Sequence, residues 1–182
     1  MTRHNHSPPR KNGINRREFL SMTALGSATL LLPAPWMPRV KAKGGVEALL
    51  LSCMDYRFMD DIGRYMKERG LTDKYDHVIL AGASLGATTD RYPAWNKTFW
   101  EHLEIAIQLH KIKKVMIMDH RDCGAYKVIL GPEHAENAEI EKETHARYLN
   151  RLGKQIQERF PSLAIELLLM NLDGTVTPID FQ

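Results

Sequence analysis

Four short apolar runs, separated by stretches with helical spacing, constrain this chain more than any other feature. Val46 to Ser52, His77 to Ala81, Val115 to Met118 and Leu163 to Met170 are each four to eight residues long and almost wholly apolar. A strand that is apolar on both sides has to be buried on both sides. Between the runs, Phe58, Ile62, Tyr65 and Met66 recur at helical spacing over Phe58 to Arg69, and Gly70 closes that segment. Trp95, Phe99, Leu103, Ala106, Ile107 and His110 form a second stripe, and Gly124 to Leu130 reads as a short helix stopped by Gly131-Pro132. Glu136 to Phe160 is a long charged helix with Ile140, Tyr148, Leu152, Ile156 and Phe160 on one face. The alternation predicts an α/β fold, a mostly parallel four-stranded sheet in the order 2-1-3-4 with helices on both faces. The tail from Leu172 to Thr177 adds a turn and an edge strand, and Gly82 to Ala87 reads as a loop of small residues.

Two of the runs end in the chain's only cysteines. Leu49-Leu50-Leu51-Ser52 leads into Cys53-Met54-Asp55-Tyr56-Arg57, and Val115-Met116-Ile117-Met118 leads into Asp119-His120-Arg121-Asp122-Cys123-Gly124. Ligands of open α/β sheets bind beyond the carboxyl ends of the strands, where the strand order reverses. In a 2-1-3-4 order the first and third strands are neighbours, so Cys53 meets His120 and Cys123 at that point. Two sulfurs and an imidazole are the donor set of a zinc site that keeps its fourth position for water. Asp55 and Arg57 stand close enough to orient what binds there. Two cysteines in an exported protein also admit a disulfide, or a pair of inert buried thiols. The nearby His, Asp and Arg speak for the metal, as does a chain 43% hydrophobic whose core needs no covalent staple.

The first 42 residues read as a leader rather than as core. A basic segment precedes Asn15-Arg16-Arg17-Glu18-Phe19-Leu20, followed by an 11-residue apolar run from Met22 to Leu32 and a Pro-rich stretch. Val40-Lys41-Ala42 places small residues where a signal peptidase cuts. The apolar run is too short to span a bilayer, which takes about 20 residues. Paired arginines before Phe-Leu resemble the bacterial twin-arginine export signal, which predicts a periplasmic protein and no membrane attachment once residues 1–42 are removed. Those residues carry seven Lys or Arg and one acid, a net charge of +6, so with +3 for the whole chain residues 43–182 carry −3. The basic character belongs to the leader, and nothing points to nucleic acid.

The remaining histidines offer less. His4 and His6 fall in the leader, and His102, His110, His134 and His145 read as surface or packing residues, while His77 opens the second strand and is a candidate to face the site. Gly82 to Ala87 lacks the Gly-x-Gly-x-x-Gly order and a Lys-Ser/Thr pair, so no nucleotide site is expected.

Cys-x-Asp-x-Arg at 53–57 and His-x-x-Cys-Gly at 120–124, each after an apolar strand, together resemble the β-class carbonic anhydrases. The likeness extends from about Val46 to the tail at Asn171 to Thr177. It implies one Zn2+ per chain bound by Cys53, His120 and Cys123, with water or Asp55 in the fourth position. Asp55 and Arg57 match the family's catalytic dyad, and Gly124 belongs to the second motif. The implied activity is reversible hydration of CO2 to bicarbonate by hydroxide generated at zinc, in a homodimer or higher homo-oligomer. Tyr56 stands where the family has Ser or Ala, Asp119 where it has Gly, and the leader replaces the family's N-terminal helical arm.

The chemistry also stands without the resemblance. Zinc on two thiolates and one imidazole lowers the pKa of water from about 16 towards about 7, less than with three imidazoles. CO2 needs only an apolar pocket, for which Tyr56, Phe58 and Leu85 are the expected walls. The same chemistry extends to carbonyl sulfide or carbon disulfide, and a non-catalytic zinc-binding or redox-sensing relative is the alternative of another class.

Overall fold

The computed structural model describes residues 45–182, so the leader reading of residues 1–42 lies outside the described residues. Five strands form one sheet: β1 (Ala48–Ser52), β2 (Tyr75–Ile79), β3 (Lys114–His120), β4 (Ala164–Met170) and β5 (Val176–Ile179). Their order is β2-β1-β3-β4-β5, parallel throughout except for the antiparallel β4–β5 pair. The 2-1-3-4 arrangement and the edge strand therefore stand as the apolar runs require.

The helices are α1 (Met59–Glu68), α2 (Ala83–Gly86), α3 (Pro93–His110), α4 (Gly124–Leu130) and α5 (Ala138–Arg159). Short 3₁₀ turns at Tyr56–Phe58 and Pro132–Ala135 lead into α1 and α5. Among the described residues, no helix is long and apolar enough to cross a membrane.

Side chains alternate between the two faces of each strand, and the register sorts them into two cores. Leu51, Ile117 and Leu167 share one face with Leu85 of α2, Phe99 of α3, Tyr126 of α4 and Leu152 of α5. Leu50, Met116, Met118 and Leu168 share the other face with Phe58 and with Ile62 and Met66 of α1. Both faces are covered, which explains runs apolar at every position rather than at every second one.

Local chemistry sets the helix ends. Asn137 accepts hydrogen bonds from the N–H groups of Glu139 and Ile140, both at 3.0 Å, and so starts α5. Asp60 and Asp61 sit in the first turn of α1, where negative charge complements the exposed N–H groups.

Three expectations shift. The second strand runs Tyr75–Ile79 instead of His77 to Ala81, because Leu80 and Ala81 turn out of the sheet after Leu80 N–H bonds the Ser52 carbonyl. The third strand extends to His120, so the metal-type histidine is its last residue. The small-residue segment Gly82 to Ala87 is not a loop but a one-turn helix, entered through Gly82 at φ 74°. Such a left-handed entry suits glycine. Gly86 has no room for a side chain, since a Cβ there would meet the Ala81 carbonyl oxygen.

Candidate metal centre

Ser52 closes β1 and lies opposite Met118 of β3. The residues that follow in each strand therefore emerge side by side at the carboxyl edge. Cys53 leaves β1 directly, His120 ends β3, and Cys123 precedes the first turn of α4. Their donor atoms all lie within 4.8 Å of one another, and this is the only such cluster of three His, Cys, Asp or Glu ligands among the described residues. The two sulfurs are 3.9 Å apart and unbonded, which excludes the disulfide alternative in this structure. A tetrahedral zinc with Zn–S bonds of about 2.3 Å sets its sulfurs about 3.8 Å apart, so the pair fits.

The imidazole is presented in the matching tautomer. His120 Nδ1 donates to the Arg121 carbonyl oxygen at 2.8 Å, which leaves Nε2 as the free lone pair. Nε2 is buried and has no hydrogen-bond partner. A buried polar atom without a partner is costly, and a metal ion answers that cost. The ring rests against Phe58, with centroids 4.6 Å apart.

Arg121 and Asp122 hold the turn between His120 and Cys123. The Asp122 N–H donates to Glu141 Oε1 at 2.6 Å and Arg121 Nη1 donates to Glu141 Oε2 at 3.0 Å, while Asp122 itself takes the left-handed φ of 53°. Arg121 also reaches the side chain of Asn171 and the Ala138 carbonyl.

Asp55 and Arg57 stand beside the ligands. Asp55 Oδ1 accepts from the Arg57 backbone N–H and from Nε, both at 3.0 Å, and Oδ2 accepts from Nη2 at 2.9 Å. Oδ2 is 3.8 Å from His120 Nε2. The far side of the guanidinium is fixed by Asp122, through its carboxylate at 2.9 Å and its carbonyl oxygen at 3.0 Å.

A family model described as "Putative carbonic anhydrase" matches residues 44–180. The chain belongs to that family. An uncharacterised protein of Rickettsia conorii is 42% identical over 140 residues, covering 77% of this chain and 75% of that protein. An uncharacterised protein of Rickettsia bellii is 41% identical over 140 residues, covering 77% of this chain and 85% of that one. Among solved structures, the β-carbonic anhydrase CafA of Aspergillus fumigatus matches with a TM-score of 0.54 at 15% identity, covering 81% of each chain. The β-carbonic anhydrase CafD of the same fungus matches at 0.53 and 12% identity, covering 80% of this chain and 94% of that one. At these identities the structural likeness establishes the fold, which is that of the β-carbonic anhydrases.

The charges of this carbonic anhydrase-family site follow from its contacts. The Cys53 thiol is lowered to about 4, chiefly by the hydrogen bond from Cys123, with burial opposing and with His120 and the Gly82 N–H assisting. Cys123 is moved up by its bond to Cys53 and by burial. Burial also opposes charge on His120, but the adjacent Cys53 outweighs it and raises the imidazole. Metal binding requires both sulfurs as thiolates and a free lone pair on His120 Nε2, so a divalent cation displaces the protons these groups hold. Asp55 is held below the ordinary carboxylate range, first by the Arg57 side chain.

The other residues singled out from the sequence are placed unevenly. Phe58 and Leu85 are buried, and Leu85 packs in the same cluster as both cysteines. Tyr56 is 86% exposed, so it forms no pocket wall within this chain: Asp55 caps the turn and Tyr56 begins it on the solvent side. Gly124 opens α4, and a Cβ there would meet nothing within 4 Å. His77 does not join the ligands and bonds the Ser52 hydroxyl at 2.8 Å instead. Sequence reasoning missed the roles of Asp122 and Glu141 and the buried set around Asp119. Only Asp119 carried a signal, as an acidic residue where the resembled family has Gly, directly after an apolar run.

Proposed function

We propose that this chain is a zinc-dependent carbonic anhydrase that interconverts CO2 and bicarbonate. One observation carries the reading: Cys53, His120 and Cys123 converge within 4.8 Å of one another beside a carboxylate pinned by arginine. Zinc held by that set supplies a water acidified towards neutral pH, the nucleophile CO2 needs.

The chain's own residues do the rest. A carboxylate has about four acceptor positions, and Arg57 fills two on Asp55 Oδ1 and one on Oδ2. The free position is on Oδ2, the oxygen nearer His120. Kept ionised by Arg57, it accepts the proton side of the nucleophile and turns the lone pair towards the substrate carbon. Asp122 holds Arg57 in place, so Asp55 stays turned to its guanidinium. The apolar side chains beside the ligands are Phe58, whose ring rests against His120, and Leu85, packed in the cluster of both cysteines, and they are the expected neighbours of an uncharged linear substrate.

The proposal extends to assembly and place. Met54 and Tyr56, on either side of Asp55, are 64% and 86% exposed, and a second copy of the chain would cover them. The arginine pair and apolar run of residues 1–42 support export by the twin-arginine route to the periplasm. Stopped-flow CO2 hydration by the zinc-loaded protein tests the activity. Zinc-dependent bicarbonate formation that disappears in Cys53→Ser is expected, and a fully zinc-loaded protein with no rate above buffer overturns the reading.

A further inference from the structure

Behind the ligands lies a buried polar set that the carbonic anhydrase reading does not use. Asp119 is 1% exposed near the carboxyl end of β3, directly after its apolar run. Its carboxylate meets four groups. Oδ1 accepts from the Ser84 N–H at 3.0 Å, and Oδ2 accepts from the Ser84 hydroxyl at 2.6 Å and the Tyr126 hydroxyl at 2.6 Å, with His145 Nδ1 at 3.0 Å. A carboxyl group at such a position is expensive to bury unless it is hydrogen-bonded, and here both oxygens are.

Two of the partners of Asp119 belong to segments that adjoin the sulfurs. Ser84 belongs to α2, the turn whose Gly82 N–H donates to Cys53 Sγ at 3.3 Å. Tyr126 belongs to α4, the helix that Cys123 directly precedes. The amide that faces Cys53 and the helix that follows Cys123 are thus both carried by segments fastened to the same carboxylate. The entry to α2 is a strained one, with positive φ at both Gly82 and Ala83, and such a conformation persists only where its surroundings fix it.

We propose that Asp119 is a positioning residue that aims the Gly82 amide at the metal-binding Cys53 sulfur through Ser84, and that through Tyr126 it fixes the start of α4 beside Cys123. The inference rests on the zinc reading of the site but not on its turnover. Asn at this position keeps the shape and replaces one acceptor oxygen with a donor, so one arm is released.

The test measures zinc affinity by competition with a chromophoric chelator, together with the thiolate-to-metal charge-transfer absorption of the Co2+-substituted protein. Loss of an outer partner of this kind costs about 10–100-fold in metal affinity. Asp119→Asn is expected to fall in that range with a shifted and weakened cobalt band. Ser84→Ala and Tyr126→Phe are each expected to show part of the loss, and Ser84→Ala adds little once Asp119→Asn is present, because the two share one arm. A folded Asp119→Asn with zinc affinity within about twofold of wild type and an unchanged band overturns the proposal, the expected loss being about tenfold or more. Should Asp119→Asn fail to fold, Ser84→Ala and Tyr126→Phe decide, and unchanged affinity and band in both overturn it. A wild-type protein that binds zinc tightly but hydrates no CO2 refutes the activity while leaving these affinities readable.

Discussion

At the scale of residues, the site depends on the planar fork of Arg57, which makes two bonds to Asp55 and two to Asp122 through its side chain. Lysine carries the charge but not the fork. Arg57→Lys should therefore keep zinc in place and lower the CO2 hydration rate at least about tenfold, measured at equal zinc content. The pH dependence has a definite sign. Arg57 holds Asp55 below its ordinary value, so their pairing stabilises the fold above that value and is lost as pH falls through the lowered one. The stability gap between wild type and Arg57→Gln should be flat between about pH 5 and 8 and close below about pH 4. With Arg57 about one-third exposed, the gap should be no more than about 1 kcal/mol. Urea denaturation at each pH reads it. Cys53, His120, Cys123, Asp55 and Arg57 were legible in the sequence because reactive side chains interrupt apolar runs. Asp122 was not: its partner lies 65 residues away, and its placement depends on a left-handed backbone that no spacing announces.

At the scale of elements, α5 stands behind the site, and its first turn hangs on one side chain. Asn137→Ala removes the acceptor for two N–H groups and should cost about 1 kcal/mol, seen as a lower urea midpoint with unchanged slope. The identity and order of the elements were readable because a strand buried on both faces leaves a pattern unlike that of an amphipathic helix. The boundaries were less so. Asp119 and His120 extend β3 beyond its apolar run because β4 continues to pair with them, through Leu169 and Met170. Gly82 to Ala87 has too few large side chains to show a helical stripe, and one turn is shorter than any period. His145, read as surface or packing, is fully buried against Asp119, a contact between β3 and α5 that neither segment reveals alone.

At the scale of the whole molecule, the sheet makes a metal site out of residues 67 positions apart in sequence. Metal bound only by the folded state adds to its stability, by about 4 kcal/mol when free zinc is a thousand times the dissociation constant. For a domain of this size, removing zinc with a chelator should lower the melting temperature by about 10 °C. The same chelator should leave Cys123→Ser unmoved, because its site is already broken. Zinc content of the purified chain is the most direct test, since every other claim depends on two sulfurs and one imidazole closing on a single ion. The account predicts one zinc per chain for wild type and less than about a tenth of that for His120→Ala and Cys123→Ser, since each removes a direct ligand. Full zinc occupancy in either variant, or a metal-free wild type with its two cysteines joined, would contradict it.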